Sequence, residues 1–185
     1  GASIVVESRK RYKAKILDSR IAVADSIWSI DAANSIDVDS DYVSVKNITI
    51  NNNSQLIKID GAASENKEDK VIFSLENFDL SILNVFFHSR GTKFNGFVSG
   101  NASVSDIYNK LLFTSDIKIK AFTFNDEFIG DGALKSSWDR DKEELSLNGS
   151  FTKGIVPNIQ FSGFYYPSKK EDNIDFDLAL QAIKL

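Results

Sequence analysis

Apolar and polar residues alternate with a period of two along most of this 185-residue chain, and Val, Ile and Phe fill many of the apolar positions. This alternation is typical of β-strands, whereas stretches with the 3.6-residue period of a helix are few and short. Four pairs of alternating stretches flank the polar loops "NNNSQ", "NDE", "DRDKEE" and "SKKEDN". Because strands joined by such short loops pair antiparallel, the pattern predicts an all-β chain, a long antiparallel meander of about ten to twelve strands.

Two architectures fit this meander. Either the sheet curls into an open groove, a β-taco, or two sheets close on each other as a β-sandwich. One stretch, "NFDLSILNVFFHSR", departs from the alternation and predicts a short helix near residues 80–87, with Asn77 or Asp79 as its cap. No Gly/Ser-rich or Pro-rich linker interrupts the sequence, so residues 1–185 are predicted to form a single domain.

Five glycines stand at the centre of similar strand segments: "IDGAA", "VSGNA", "GDGAL", "LNGSF" and "FSGFY". These are Gly61, Gly100, Gly132, Gly149 and Gly163. By alternation, each points to the same face as the apolar residues two positions away. Glycine fills no space and weakens a strand interior, so its recurrence needs a reason. We predict that these glycines let the sheet bend; the alternative is that each makes room for a neighbouring aromatic ring.

The apolar residues that share this face are the predicted lining of the groove. They are Ile59, Val98, Phe128, Leu134, Trp138, Leu145, Leu147, Phe151, Ile159, Phe161, Tyr165, Ile174, Phe176, Leu178 and Leu180. In an open sheet they would line a trough, and in a sandwich they would form an ordinary core.

The amino-acid composition argues against several classes of function. The net charge of −4 argues against a nucleic-acid partner, because phosphate binding needs a basic surface. The absence of cysteine excludes disulfides, thiolate catalysis and cysteine-ligated zinc. The chain also has no methionine, which indicates a segment of a longer polypeptide.

Few residues suggest catalysis or metal binding. The single histidine, His88, has no partner at the spacing of a known triad, and a structural or solvated role is expected. The charged run Asp139–Glu144 lacks the central glycine and terminal ligand of a calcium loop and is expected to be a solvated turn. The basic stretch Arg9–Lys15 fits a strand with a solvated basic face or a contact with anionic lipid headgroups. We therefore predict no catalytic site, no metal, no cofactor and no enzymatic activity.

Several loose motifs between Asn47 and Leu185 resemble those of a known family. They are "G-x-x-x-G-x-A-x-V" at Gly96–Val104, "F-x-G-D" at Phe128–Asp131, "S-x-W-D" at Ser136–Asp139 and "G-x-Y-x-P" at Gly163–Pro167. The sequence resembles the β-repeat region of TamB-type translocation and assembly module proteins, within the AsmA-like superfamily and in particular its Bacteroidetes-like branch.

This resemblance implies a non-enzymatic periplasmic segment of a protein anchored in the inner membrane. Its apolar groove would shield phospholipid acyl chains in transport between the inner and outer membranes, and would support outer-membrane protein assembly. A barrel partner such as TamA would bind other parts of the full-length chain. The alternative is a closed β-sandwich that binds glycans or serves adhesion, motivated by Trp138, Phe164, Tyr165 and Tyr166 and by the polar Asn-rich loops. Trp138 and Tyr165 fall in the inward register, which favours core packing for these two rings.

Overall fold

The computed structural model describes residues 1–6, 11–23, 25–87, 91–109 and 111–181. These residues form fourteen antiparallel strands in one open, unclosed sheet with almost no helix. The predicted all-β, open antiparallel meander is confirmed. The alternative of a closed two-sheet sandwich is wrong, because every described strand belongs to the same open sheet.

The strands differ in length along the chain. In order they are β1 (Ala2–Val6), β2 (Tyr12–Ile16), β3 (Ser19–Val23), β4 (Ser26–Ile30), β5 (Ser35–Asp39), β6 (Tyr42–Asn52), β7 (Gln55–Ser64), β8 (Lys70–Asp79), β9 (Phe94–Ser105), β10 (Leu112–Phe124), β11 (Glu127–Asp139), β12 (Glu144–Lys153), β13 (Val156–Tyr165) and β14 (Ile174–Leu180). All four predicted hairpins are present. The prediction of ten to twelve strands was too low, because the first five strands have only five residues each and give little alternation.

The chain divides into two compact units, Gly1–Phe78 with Asn101–Leu112, and Asp79–Gly100 with Phe113–Leu185. The prediction of one continuous domain stays a prediction. In the first unit, β6 pairs with β5 along its first half and with β4 at its end, where Ile30 lies opposite Ile50. Trp28 on β4 is buried, and its ring centroid lies 6.1 Å from that of Phe78.

In the second unit, β10 to β14 follow one another as an antiparallel meander, with register shifts after Ile119 and Phe122 in β10 and after Phe151 in β12. The predicted short helix is confirmed as a 3-10 turn, Leu80–Leu83, that continues as one α-helical turn, Asn84–Phe87. Asp79 caps it, since its carboxylate accepts a hydrogen bond from the Ser81 N–H at 2.8 Å. The Asn84 side chain exchanges two hydrogen bonds with the backbone of Phe94 and so holds the helical turns against β9.

Two hairpins carry the same β-bulge. In β6–β7, Lys46 and Asn47 together oppose Asp60, and in β10–β11, Lys120 and Ala121 together oppose one aspartate. That aspartate is Asp131. The second residue of each pair has φ of +52°, and its N–H donates to the facing carboxylate at 2.7 and 2.8 Å. Each bulge adds one residue to its strand, so the apolar side chains before and after it stay on the same face.

Candidate functional site

The four C-terminal strands place most of the predicted lining residues directly opposite one another. Residues that face each other across β11, β12, β13 and β14 form four rows. The rows are Trp138–Leu145–Tyr165–Ile174, Ser136–Leu147–Gly163–Phe176, Leu134–Gly149–Phe161–Leu178 and Gly132–Phe151–Ile159–Leu180. We call this surface the apolar face. None of its sixteen residues is charged, so it offers contact to other apolar groups.

The solvent exposure of the apolar-face residues increases from β11 and β12 to β14. The apolar-face residues of β11 and β12 are half-buried or buried, whereas Ile174, Phe176, Leu178 and Leu180 are 61%, 43%, 64% and 54% exposed. No side chain among the described residues is fully buried. Large contiguous apolar patches on the surface of a folded protein are commonly interaction sites.

Three of the predicted curvature glycines lie under aromatic rings on this face. Gly132 faces Phe151, Gly149 faces Phe161, and Gly163 faces Phe176 in the strand register. A Cβ built on Gly132 would lie 2.5 Å from Phe151 Cε1, and one on Gly149 would meet the Phe161 ring. One on Gly163 would meet the backbone oxygen of Asp175 as well as the Phe176 ring. At Gly132 and Gly149 the ring therefore occupies the space that a side chain would take, as in the alternative considered for the sequence, whereas at Gly163 the backbone of β14 and the ring share that space. A role in curvature stays a prediction for these three positions.

The other two glycines, Gly61 and Gly100, have a different geometry. Their φ angles are +126° and +141°, a conformation that other residues rarely adopt. A Cβ on Gly61 would lie 3.0 Å from Val71 Cα, and one on Gly100 would lie 2.8 Å from Ile117 Cα. Glycine is required at both positions, because the φ angle is unfavourable for other residues and the backbone of the adjacent strand leaves no room for a Cβ.

Three predicted lining residues lie outside the four rows. Ile59 belongs to the first unit, where it faces Ile48 on β6 and Phe73 on β8. Val98 on β9 is buried. Phe128 lies near the start of β11, 46% exposed, with Lys153 Nζ 5.6 Å from the centre of its ring.

The charged loop between β11 and β12 is held by contacts within the protein. In the run Asp139–Glu144, the Asp139 carboxylate accepts hydrogen bonds from two backbone N–H groups, and Lys142 lies 3.3 Å from Glu144. His88 and the first two residues of Arg9–Lys15 lie outside the described residues. Among the residues that are described, no group of three or more His, Asp or Glu could hold a metal ion. No helix in the described part of the chain is long and apolar enough to cross a membrane.

Asp60 has a lowered pKa. The hydrogen bond from the Asn47 N–H is the main cause that lowers the pKa of this carboxyl below 3.8, and Lys58 at 3.0 Å acts in the same direction. Sequence reasoning did not identify the two bulges. The signal was present in "VSVKNITI" and "IKIKAFTF", where the apolar spacing changes from two to three at Val45–Ile48 and at Ile119–Phe122.

Comparison with known proteins adds no relative: no family model, curated protein or solved structure matches this chain.

Proposed function

We propose that the chain is a non-enzymatic, lipid-shielding segment whose apolar face packs against phospholipid acyl chains. The observation that carries this proposal is the uncharged four-row register of β11–β14, which ends in the exposed side chains of β14. An acyl chain gains about 0.8 kcal/mol for each methylene that it removes from water. Such contacts are non-directional, so a chain can slide along the face without breaking specific bonds.

The size of the face suits an extended hydrocarbon chain. Four strands about 4.8 Å apart give a width of about 14 Å, and rows two residues apart extend the surface along the strands by about 7 Å each. Ser136 and Tyr165 are the two hydroxyl residues in the rows, and the Ser136 hydroxyl is paired with that of Ser115 at 2.9 Å. An acyl chain would therefore meet no unpaired polar group at Ser136.

The motifs that resemble TamB-type proteins contribute to the same surface. Ser136 and Trp138 of "S-x-W-D", and Gly163 and Tyr165 of "G-x-Y-x-P", all lie in the four rows. This placement supports a periplasmic role for the segment in phospholipid transport between the inner and outer membranes. The proposal includes support of outer-membrane protein assembly, with the inner-membrane anchor and any contact with a barrel protein supplied by other parts of a longer chain.

Photo-crosslinking on two adjacent residues tests the proposal. A photoreactive amino acid replaces Leu178 on the apolar face or, as control, Ala179 on the opposite face; both positions are exposed. After expression in bacteria and irradiation, mass spectrometry should find phospholipid adducts at position 178 and at least tenfold fewer at 179. Equal yields at the two positions, or no lipid adduct at 178 in a folded chain, would refute the proposal.

A further inference from the structure

The face of β11–β14 opposite the apolar face contains a cleft of about 530 Å³, which we call the polar cleft. Two rows across the four strands line it. The first is Lys135–Asn148–Ser162–Asp177, and the second is Ala133–Ser150–Gln160–Ala179. Gly149 and Phe161 also line the cleft, and most of its accessible surface is apolar, with the hydrogen-bonding groups of Asn148, Gln160, Ser162 and Asp177 among apolar atoms.

These polar side chains are available to a ligand. Within the described residues, the side chains of Asn148, Gln160, Ser162 and Asp177 form no hydrogen bond or ion pair with the protein. The backbone N–H and C=O groups beneath them take part in strand pairing, so a ligand on this face meets side chains. A side-chain amide offers both donors and an acceptor, and a carboxylate accepts two hydrogen bonds.

An aromatic pair lies on the same face next to the cleft. Phe164 follows Ser162 by two residues, which places it about 7 Å along β13. Its ring is 38% exposed and stacks on Tyr166, with the two centroids 6.3 Å apart at 30°. Lys169 Nζ lies 3.6 Å from the Tyr166 ring centre and covers that ring. The Phe164 ring therefore offers an apolar plane beside an array of hydrogen-bonding groups.

The charges on this face disfavour an anionic ligand. Lys135 is paired with Asp116 at 3.1 Å, and Asp177 adds a carboxylate without a partner among the described residues. Asp175, opposite Phe164, adds a second carboxylate. Together these carboxylates would repel phosphate or sulfate groups.

We propose that the polar cleft binds a neutral linear oligosaccharide. Hydroxyl groups of successive sugars pair with Asn148, Gln160 and Asp177, and the apolar face of a further ring packs on Phe164. This site is independent of the lipid-shielding proposal because it lies on the opposite face of the strands. The earlier glycan hypothesis relied partly on Trp138 and Tyr165, which lie on the apolar face.

Titration of the 185-residue chain with neutral hexasaccharides tests this proposal. β-1,4-Glucan, α-1,4-glucan and β-1,3-glucan hexamers are the probes, and saturation-transfer NMR and calorimetry measure binding. At least one probe should bind, and Asn148→Ala with Gln160→Ala should weaken that binding at least tenfold. Phe164→Ala should also weaken it at least tenfold.

Two control variants test whether the loss of affinity is specific to the cleft. Gln181→Ala removes an exposed amide outside the cleft, and Phe113→Ala removes a ring that has the same 38% exposure as Phe164. Both should leave affinity within twofold, and the lipid adducts at Leu178 should persist in the cleft variants. Absence of binding by all three probes, undiminished binding in the Asn148/Gln160 variant, or binding of a sulfated hexasaccharide in preference to the neutral ones would overturn the proposal.

Discussion

Substitution of Gly149 by alanine tests why glycine stands inside a strand. The Gly149 φ is outside the left-handed region, so alanine can adopt its backbone conformation. Without a steric obstacle, Gly149→Ala would stabilise the fold by about 0.4–1 kcal/mol, because alanine gives the unfolded backbone fewer conformations than glycine does. In the folded chain, however, the new Cβ would meet three atoms of the Phe161 ring, including Cε2 at 2.7 Å.

The Phe161 ring must therefore move, and because this movement costs energy, we expect Gly149→Ala to destabilise the fold. Overpacking of this kind costs about 1–3 kcal/mol. A net loss of that size lowers the melting temperature by about 2–12 °C, since each kcal/mol corresponds to about 2–4 °C in a chain of this length. In a Phe161→Ala background the obstacle is absent, and the same Gly149→Ala change should then stabilise by about 0.4–1 kcal/mol. The predicted coupling between the two positions is thus about 1.5–4 kcal/mol.

Urea unfolding of the four proteins of this double-mutant cycle, followed by tryptophan fluorescence and circular dichroism, measures the coupling. Ser150→Ala, on the next residue and the opposite face, is the control and should change stability by less than about 0.5 kcal/mol. A coupling below about 0.5 kcal/mol would refute the ring explanation. A loss that persists in the Phe161→Ala background would instead support the curvature role predicted from the sequence.

Two further predictions concern the bulges. Ala121 has φ of +52°, a conformation that is unfavourable for alanine and free for glycine, so Ala121→Gly should raise the free energy of unfolding in urea by about 1 kcal/mol. The control Ala133→Gly, at an ordinary strand position, should lower it. A loss of stability in Ala121→Gly would contradict the reasoning. The pKa of Asp60 is lowered in the folded chain, so its stabilising contribution is complete above pH 3.8 and is lost as the pH falls through the lower folded value. Asp60→Asn should therefore reduce the loss of stability between pH 6 and pH 2.5, and an unchanged pH profile would show that the hydrogen bond to Asn47 contributes nothing.

The all-β fold class and the four hairpins were predictable, because alternating polarity and short polar loops are local signals in the sequence. The one-sided register of Leu145, Leu147 and Phe161 was predictable for the same reason, since no bulge separates these residues from their glycines within a strand. The choice between an open and a closed sheet was not predictable, because the same alternation places apolar residues on one side in both cases. The number of strands at the start of the chain was not predictable, because each of the first five contains too few residues to establish a period.

The bulges connect the fold to both proposed surfaces. A strand has a side-chain period of two, so one extra residue without a bulge would turn every later apolar side chain to the opposite face. In β10 this would direct Phe122 and Phe124 to the side of the polar cleft, whereas the Lys120–Ala121 bulge keeps Phe122 on the apolar face, stacked on Phe151 with centroids 5.1 Å apart. The Asp131 carboxylate holds the bulge by accepting the Ala121 N–H. The Asp131 carboxylate thus helps to keep Phe122 on the apolar face, and both proposed binding surfaces depend on this separation of apolar from polar side chains.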